Sequence, residues 1–564
     1  MNNRFTFKFL SVILVIVMLS SLFASCVLYV DPVATSTTVT DSEATTGTTT
    51  RPDGSTSTST STSTSTSTSA STSGSGSTGT SSSTSTNSTT AKPDPDDDCS
   101  IGHTDNANDG FCDYCGIDVV ETIDFYSFND LHGKFEDGDN HPGVDELTTY
   151  LENRKEIDEH VVLLSAGDMW QGGIASNGTQ GRIITDWMNY LGFDAMTLGN
   201  HEFDWGTDAI KTNVELAEFS ILAINIYDNA TGKRVDYCEP SVMIERGDVQ
   251  IGIIGAIGDC YSSISSDKTK GINFKTGSAL TNLVKAESEK LRSEGADVII
   301  YLIHDGTTYS SVDVTDYYDL SLSSGGYVDV VFGAHTHSYY ITTDDYGVPH
   351  LQGGGDNSKG MTHVELDVNF ANGSVEVNAK DYVQHSQCAS LPDAPIVQDL
   401  LDKYWDEIGW MYDNLGYNAS KRTSSVIGNT VAKLYYEAGI EKWGDKYDIV
   451  LGGGSINTRS PYDLAAGYVQ YGDLQTILPF DNALYLCSIK GSDLKSKFLN
   501  NSDYCKYSTI SASQVKDSQT YYIVADSWTA LYAWAKCTTI EIYNETTFAR
   551  DFLAEYIQEG NWSK

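Results

Sequence analysis

Ala195-Met196-Thr197-Leu198-Gly199-Asn200-His201-Glu202-Phe203-Asp204 is a short apolar run that stops abruptly in a knot of polar residues. Four apolar or β-branched residues in a row read as a buried strand. The polar knot then sits at the strand's end, where open α/β sheets collect ligands. The pattern recurs on both sides. Upstream, Ile123–Phe128 is followed by Asn129-Asp130-Leu131-His132-Gly133, and Val161–Ser165 by Ala166 and then Gly167-Asp168-Met169. Downstream, Val298–Ile303 leads into His304-Asp305-Gly306, and Val328–Phe332 into Gly333-Ala334-His335-Thr336-His337. A further run, Ile251–Ile257, carries no such motif. With helical stretches between the runs, the pattern predicts an α/β domain. One histidine alone would read as a packed or surface residue. Five of the eleven histidines falling at strand ends point to a common site.

Seven of these residues are oxygen or nitrogen donors: Asp130, His132, Asp168, Asn200, His304, His335 and His337. They suffice for two four-ligand metal sites if one carboxylate bridges. Carboxylate and imidazole together suit divalent Mn, Zn, Co or Fe rather than Cu(I). Two such ions about 3.5–4 Å apart clamp the attacking and leaving oxygens of a phosphoryl transfer. A water bridging them gives up a proton readily and can attack phosphorus in line. Charge developing on the phosphate needs a donor that is not itself a metal ligand. His201, directly after Asn200, is close to the metals while facing elsewhere, and Asp204 can hold its tautomer.

Taken in order, Asn-Asp-Leu-His-Gly, Gly-Asp, Gly-Asn-His-Glu-Phe-Asp, His-Asp-Gly and Gly-Ala-His-Thr-His resemble the calcineurin-like metallophosphoesterases. The close match is the 5′-nucleotidase branch, which includes UDP-sugar hydrolases and 2′,3′-cyclic-nucleotide phosphodiesterases. The resemblance covers about 120–564. It implies a four-layer αββα metallophosphatase sandwich over 119–390, followed by an α/β 5′-nucleotidase C-terminal domain over 395–564. It implies that Asp130, His132, Asp168 and His337 hold one ion and Asp168, Asn200, His304 and His335 the other. His201 would be the catalytic imidazole, oriented by Asp204.

The second domain would decide the substrate. Pro392 to Met411 reads as a helix-rich connector. Ile449-Val450-Leu451-Gly452-Gly453-Gly454-Ser455-Ile456-Asn457 and Leu478-Pro479-Phe480-Asp481-Asn482 look like the family's substrate-binding segments. By that likeness Gly453, Gly454, Asn457, Phe480, Asn482 and Trp528 would contact substrate. Phe480 and Trp528 would stack on a nucleobase, with Trp528 in place of the usual Phe. Read without the family, the glycine run is equally a plain tight turn. The departures lie here too. Asn457 stands where the family has Arg. Only Lys421 and Arg422 represent an expected Arg pair. Ala530 to Lys536 replaces the usual Gly-Gly-Asp-Gly. Because the guanidinium fork is suited to phosphate, these losses leave substrate identity open, with Arg459 the nearest replacement.

Ahead of these domains, Arg4, Lys8, the apolar run Phe9–Leu19 and a small-residue segment ending at Cys26 form an export signal over 1–26. An uncleaved membrane anchor is the alternative. Phe23-Ala24-Ser25-Cys26 resembles a bacterial lipoprotein box, Phe23 standing where Leu is usual; Cys26 would carry the lipid. Residues 27–97 form a tether: from Ser55 to Thr90 all but five residues are Ser or Thr, a composition that cannot bury apolar area. In the small motif over 98–118, Cys99, His103, Cys112 and Cys115 make either a structural zinc set or one disulfide and a spectator histidine. The net charge of −42 excludes binding to a nucleic-acid duplex and docking on anionic lipid through a basic patch.

The expected protein is therefore a lipid-anchored or secreted hydrolase at a bacterial cell surface. It would release phosphate from small nucleotides, touch the membrane only through its anchor and need no protein partner. A surface binding protein on a retained phosphatase scaffold is the reading from another class.

Overall fold

The computed structural model describes residues 103–564 except 138–142, 309, 356–359, 457, 460–462 and 532–534. The expected signal, Cys26, the tether, Cys99 and Asn457 lie outside the described residues. Among the described residues no helix is long and apolar enough to cross a membrane.

Every strand expected between residues 123 and 332 is present. The first sheet has the spatial order Ser374–Val383, Met361–Asn369, Val120–Phe128, Val161–Ser165, Ala195–Thr197, Ser220–Leu222. The second has the order Tyr339–Thr343, Pro349–Gly353, Val330–Phe332, Val298–His304, Val249–Ile257, Ser241–Arg246. The apolar runs are continuous because each strand feeds two cores with its alternate residues. Ile123 and Phe125, Val162 and Leu164, Ile251 and Ile253, and Ile300 and Leu302 share one core between the sheets. Tyr126, Phe128, Val161 and Leu163 turn the other way, against helices Asp145–Ile157 and Arg182–Leu191. Ile254, Ile299 and Tyr301 face helix Ser278–Glu294 on the far side. The layers are helix, sheet, sheet, helix, as expected.

The connector helix, Pro395–Ile408, begins with Pro in its first turn, where a missing N–H costs nothing. Its buried residues Val397, Leu400, Tyr404 and Ile408 recur at helical spacing and join the outer core of the first sheet. This helix, grouped from 395 with the second domain in the sequence reading, therefore packs with the phosphatase half. Beyond it, a five-stranded sheet runs in the order Cys505–Ser508, Ile449–Gly454, Thr520–Asp526, Leu484–Lys490, Thr538–Ile542. Helix Ser424–Trp443 and helix Ala549–Gln558 cover it through a separate core.

Candidate metal centre and substrate cleft

Parallel pairing lines up the strand ends on one rim. Val120–Phe128, Val161–Ser165 and Ala195–Thr197 run parallel in the first sheet, as do Val249–Ile257, Val298–His304 and Val330–Phe332 in the second. The residues that follow turn sharply. Asp130, His132, Asp168, His335 and His337 all have left-handed backbone, with φ between 49 and 67°. For residues with a Cβ that conformation costs on the order of 1 kcal/mol or more each. Surrounding hydrogen bonds impose it. The N–H groups of Asp130, His132 and Gly133 donate to the carbonyls of Gly167, Asp168 and Met169, zipping the first two loops together. Glu202 accepts from the N–H groups of Asp168 (2.9 Å), Met169 (2.8 Å), Trp170 (3.3 Å) and Gly199 (2.7 Å), tying the second loop to the third. Gly199 is required by closeness: a Cβ there would fall 2.3 Å from Asp168 Oδ1.

The donors converge on this rim. Asp130, His132 and His337 bring one ligand atom each within 4.8 Å of the others, and so do Asp130, Asp168 and His304. Asn200 Oδ1 lies 2.8 Å from His335 Nδ1 and 3.2 Å from His304 Nε2. Backbone carbonyls orient two of the imidazoles. His132 Nδ1 donates to Gln171 O and His304 Nδ1 to Ala166 O. That turns His132 Nε2 to within 2.8 Å of His337 Nε2. It turns His304 Nε2 to 3.1 Å from Asp168 Oδ2, a buried oxygen with no hydrogen-bond donor of its own. Lone pairs facing one another at these distances repel unless a proton or a metal ion lies between them. A ligand whose other nitrogen is held by a carbonyl is the usual outer-shell arrangement of metal-binding histidines.

The electrostatics agree. Burial lowers the proton affinity of His132, and that of His335 to about 4, which keeps their nitrogen lone pairs available. Burial also disfavours a charged His304, but Asp168 beside it wins and raises it to about 10. The field that attracts that proton equally attracts a cation. The donor set therefore fits divalent metal.

His201 stands beside this cluster without joining the carbonyl-oriented set. Its N–H donates to Asp168 Oδ1 at 2.8 Å, and its Nδ1 lies 2.8 Å from Asp204 Oδ2. Burial opposes protonation of His201; Asp204 and Asp168 outweigh it, and its proton affinity rises.

The C-terminal domain reaches this imidazole. Arg459 Nη2 lies 3.4 Å from His201 Nε2, and its guanidinium is 5.7 Å from the Phe480 ring centre. Phe480 itself stacks on His201 with centroids 6.1 Å apart. The Phe480 and Trp528 segments are joined: Ser527 Oγ donates to Asn482 Oδ1 at 3.3 Å, and Ser527 N to Ala483 O. Trp528 is half-buried on helix Ser527–Leu531. Gly453 and Gly454 lie inside strand Ile449–Gly454, not in a turn. Their missing Cβ atoms would meet Cys505 O at 2.3 Å and Asp526 Oδ2 at 2.2 Å, so the close approach is to the sheet itself. Lys421 pairs with Asp463, and Arg422 bonds Asn418, which commits both cations to local structure.

Four contributors were not singled out in the sequence. Glu202 is one; a carboxylate inside a knot of candidate metal donors was its only signal. Asn129 donates to Asp130 Oδ2 at 2.6 Å and to Gly354 O. Cys260, near His304 and His335, donates its thiol to His304 O, and burial keeps that thiol protonated. Arg550, far along the chain, is buried beneath the Phe480 loop, donating to the carbonyls of Leu478, Pro479 and Phe480 and pairing with Asp481. Nothing local in the sequence marks it.

Residues 124–339 match the family described as calcineurin-like phosphoesterase, and residues 408–525 match the 5′-nucleotidase C-terminal domain. An apyrase of Tabanus yao is 33% identical over 229 residues, 38% of this chain; the chain spans 39% of that relative's length. Protein UshA of Yersinia enterocolitica is 24% identical over 516 residues, 78% of this chain and 92% of its own. The crystal structure of a 5′-nucleotidase precursor from Thermus thermophilus superposes with a TM-score of 0.59. It covers 78% of this chain and 96% of its own at 18% identity, a likeness of fold.

Proposed function

The chain belongs to the calcineurin-like phosphoesterases that carry a 5′-nucleotidase C-terminal domain, and from that premise we propose that it hydrolyses phosphoric esters of nucleotides outside the cytoplasm. The observation that carries this reading is the meeting of His201 and Arg459 beside the Asp130–Asp168 donor cluster. A guanidinium and an imidazole of raised proton affinity, from different domains and converging next to a divalent-metal donor set, make a receptor for a phosphoryl group.

Asp130, His132, Asp168 and His337 would hold one ion and Asp168, Asn200, His304 and His335 the other. Divalent ions held there would supply an acidified water and neutralise phosphate charge. The chain's own groups do the rest. His201 keeps one proton on Nδ1 toward Asp204 and donates from Nε2 to the phosphoryl oxygen, where negative charge grows. Arg459 adds a second, forked donor to the same group. Glu202 holds the Asp168 and Gly199 loops in register. Phe480 stacks on the base, with Trp528 on the adjoining segment and Asn482 toward the base edge. Because Phe480 rests on His201 in this arrangement, substrate entry requires the second domain to swing away, with the hinge after the connector helix. With Lys421 and Arg422 engaged elsewhere, Arg459 as the arginine facing His201 favours a substrate with one phosphate over a UDP-sugar with two.

The test is phosphate release by the metal-reconstituted full chain from 5′-, 3′- and 2′,3′-cyclic nucleotides, UDP-glucose and p-nitrophenyl phosphate. A higher kcat/KM for a nucleotide than for the generic ester is expected. Equal values would remove base recognition, and no release from any ester would leave a binding protein. Export and anchoring rest on the sequence before residue 98. Labelled fatty acid should enter the wild type and not Cys26→Ser.

A further inference from the structure

We propose that His103, Cys112 and Cys115 hold a zinc ion that fastens the segment ahead of the phosphatase domain onto its first sheet. Their three ligand atoms lie within 4.8 Å of one another. His103 Nδ1 is 3.5 Å from Cys115 Sγ. Tetrahedral zinc, with bonds of about 2.3 Å to sulfur and about 2.0 Å to nitrogen, sets its sulfur and nitrogen ligands about 3.5 Å apart. A tight turn brings the two thiols to one side: Gly116, at φ +72°, donates its N–H to Cys112 O at 2.8 Å. Cys112 and Cys115 are not bridged to each other.

The thiolate is the metal-binding form. Thiolates with an imidazole select zinc, unlike the oxygen- and nitrogen-rich cluster on the rim.

A staple is needed because the segment has almost no core. Phe111, Tyr114 and Ile117 are all exposed, and so small a unit needs a cross-link to hold its shape. Its attachment to the body is polar. Asp105 Oδ2 accepts from Asn369 Nδ2 at 2.7 Å, Asp105 O accepts from Asn372 Nδ2, and the His103 ring meets Phe370 edge-on. Asp105 is held in turn by the N–H groups of Asp109 and Gly110. His103 thus serves both metal and docking, so zinc would fix the attachment as well as the turn.

The test compares the full chain with Cys112→Ser/Cys115→Ser and with His103→Ala. About one zinc per chain should disappear from the double variant while kcat on p-nitrophenyl phosphate is unchanged. His103→Ala, which keeps both thiols, should weaken zinc binding at least about 10-fold and guards against misfolding of the double variant. In cobalt-loaded protein, thiolate-to-metal charge-transfer absorption should be present in the wild type and in Cys260→Ser, and absent from the double variant. Equal metal content in wild type and double variant would overturn the assignment. So would a disulfide located on Cys112 or Cys115 by non-reducing peptide mapping.

Discussion

The two sides of the cleft hold their polar groups differently. On the phosphatase side, each donor is set by backbone. Left-handed turns, inter-loop hydrogen bonds and the four N–H groups on Glu202 leave Asp168 and its neighbours almost no freedom. On the C-terminal side, Arg459 and Phe480 reach the site as long or planar side chains, and Arg550 and Ser527 brace the loop that carries Phe480. Metal coordination tolerates errors of a few tenths of an ångström, so it needs rigid turns and a strict sequence. Stacking and a single guanidinium tolerate far more. That fits the intact donor motifs on one side and the departures at Asn457, Lys421 and Ala530–Lys536 on the other.

Substitutions should expose this difference in graded form. The largest effect is expected for Asp168→Ala, which removes a donor shared by both proposed ion sites. Activity should fall more than about 10³-fold, beyond the 10²–10³ of a single lost electrostatic donor, and bound metal should be lost with it. Retention of both ions would deny Asp168 its bridging place. His201→Ala should lower kcat by roughly 10²- to 10³-fold while metal content stays at the wild-type level. Metal loss comparable to that of Asp168→Ala would make His201 a ligand instead.

On the C-terminal side, Arg459→Ala removes a charged hydrogen bond worth about 1.5–3 kcal/mol. Its kcat/KM should drop about 10- to 100-fold on nucleotides and on p-nitrophenyl phosphate alike, since both present a phosphoryl group. Phe480→Ala should raise KM for a nucleotide by roughly ten-fold, about 1.4 kcal/mol, and spare the generic ester. If the Arg459 and Phe480 variants share one substrate profile, the division between phosphate and base contacts fails.

The smallest effect lies away from the cleft, where His363 pairs with Asp124 (2.6 Å) and Asp124 also pairs with Arg154. Burial opposes charge on His363, but Asp124 wins and its pKa rises above the ordinary 6.5. A raised histidine stabilises the fold fully below about pH 6.5 and loses that contribution as pH climbs through its folded value. The difference in Tm between wild type and His363→Gln should therefore shrink from pH 6 to pH 9. A constant difference would mean that packing on Tyr126, at 4.6 Å between centroids, is the whole role of His363.

The strands and their polar ends were readable from sequence for a local reason. A strand buried on both faces must be apolar throughout, so Ile123–Phe128 and Val298–Ile303 declare themselves, and a donor at a strand's end is adjacent to it in the chain. Asp130 and Asp204 could be named the same way. Tertiary structure alone decided what depends on distant segments meeting. That Glu202 gathers the N–H groups of Asp168, Met169 and Trp170, that Arg550 props the loop of Phe480, and that Arg459 rather than Lys421 or Arg422 arrives at His201 are outcomes of packing between parts of the chain dozens to hundreds of residues apart. The connector helix shows the same limit. Residues 392–411 read locally as a helical connector, but only packing decided that Ile408 and Met411 would sit against Gly178 of the phosphatase half.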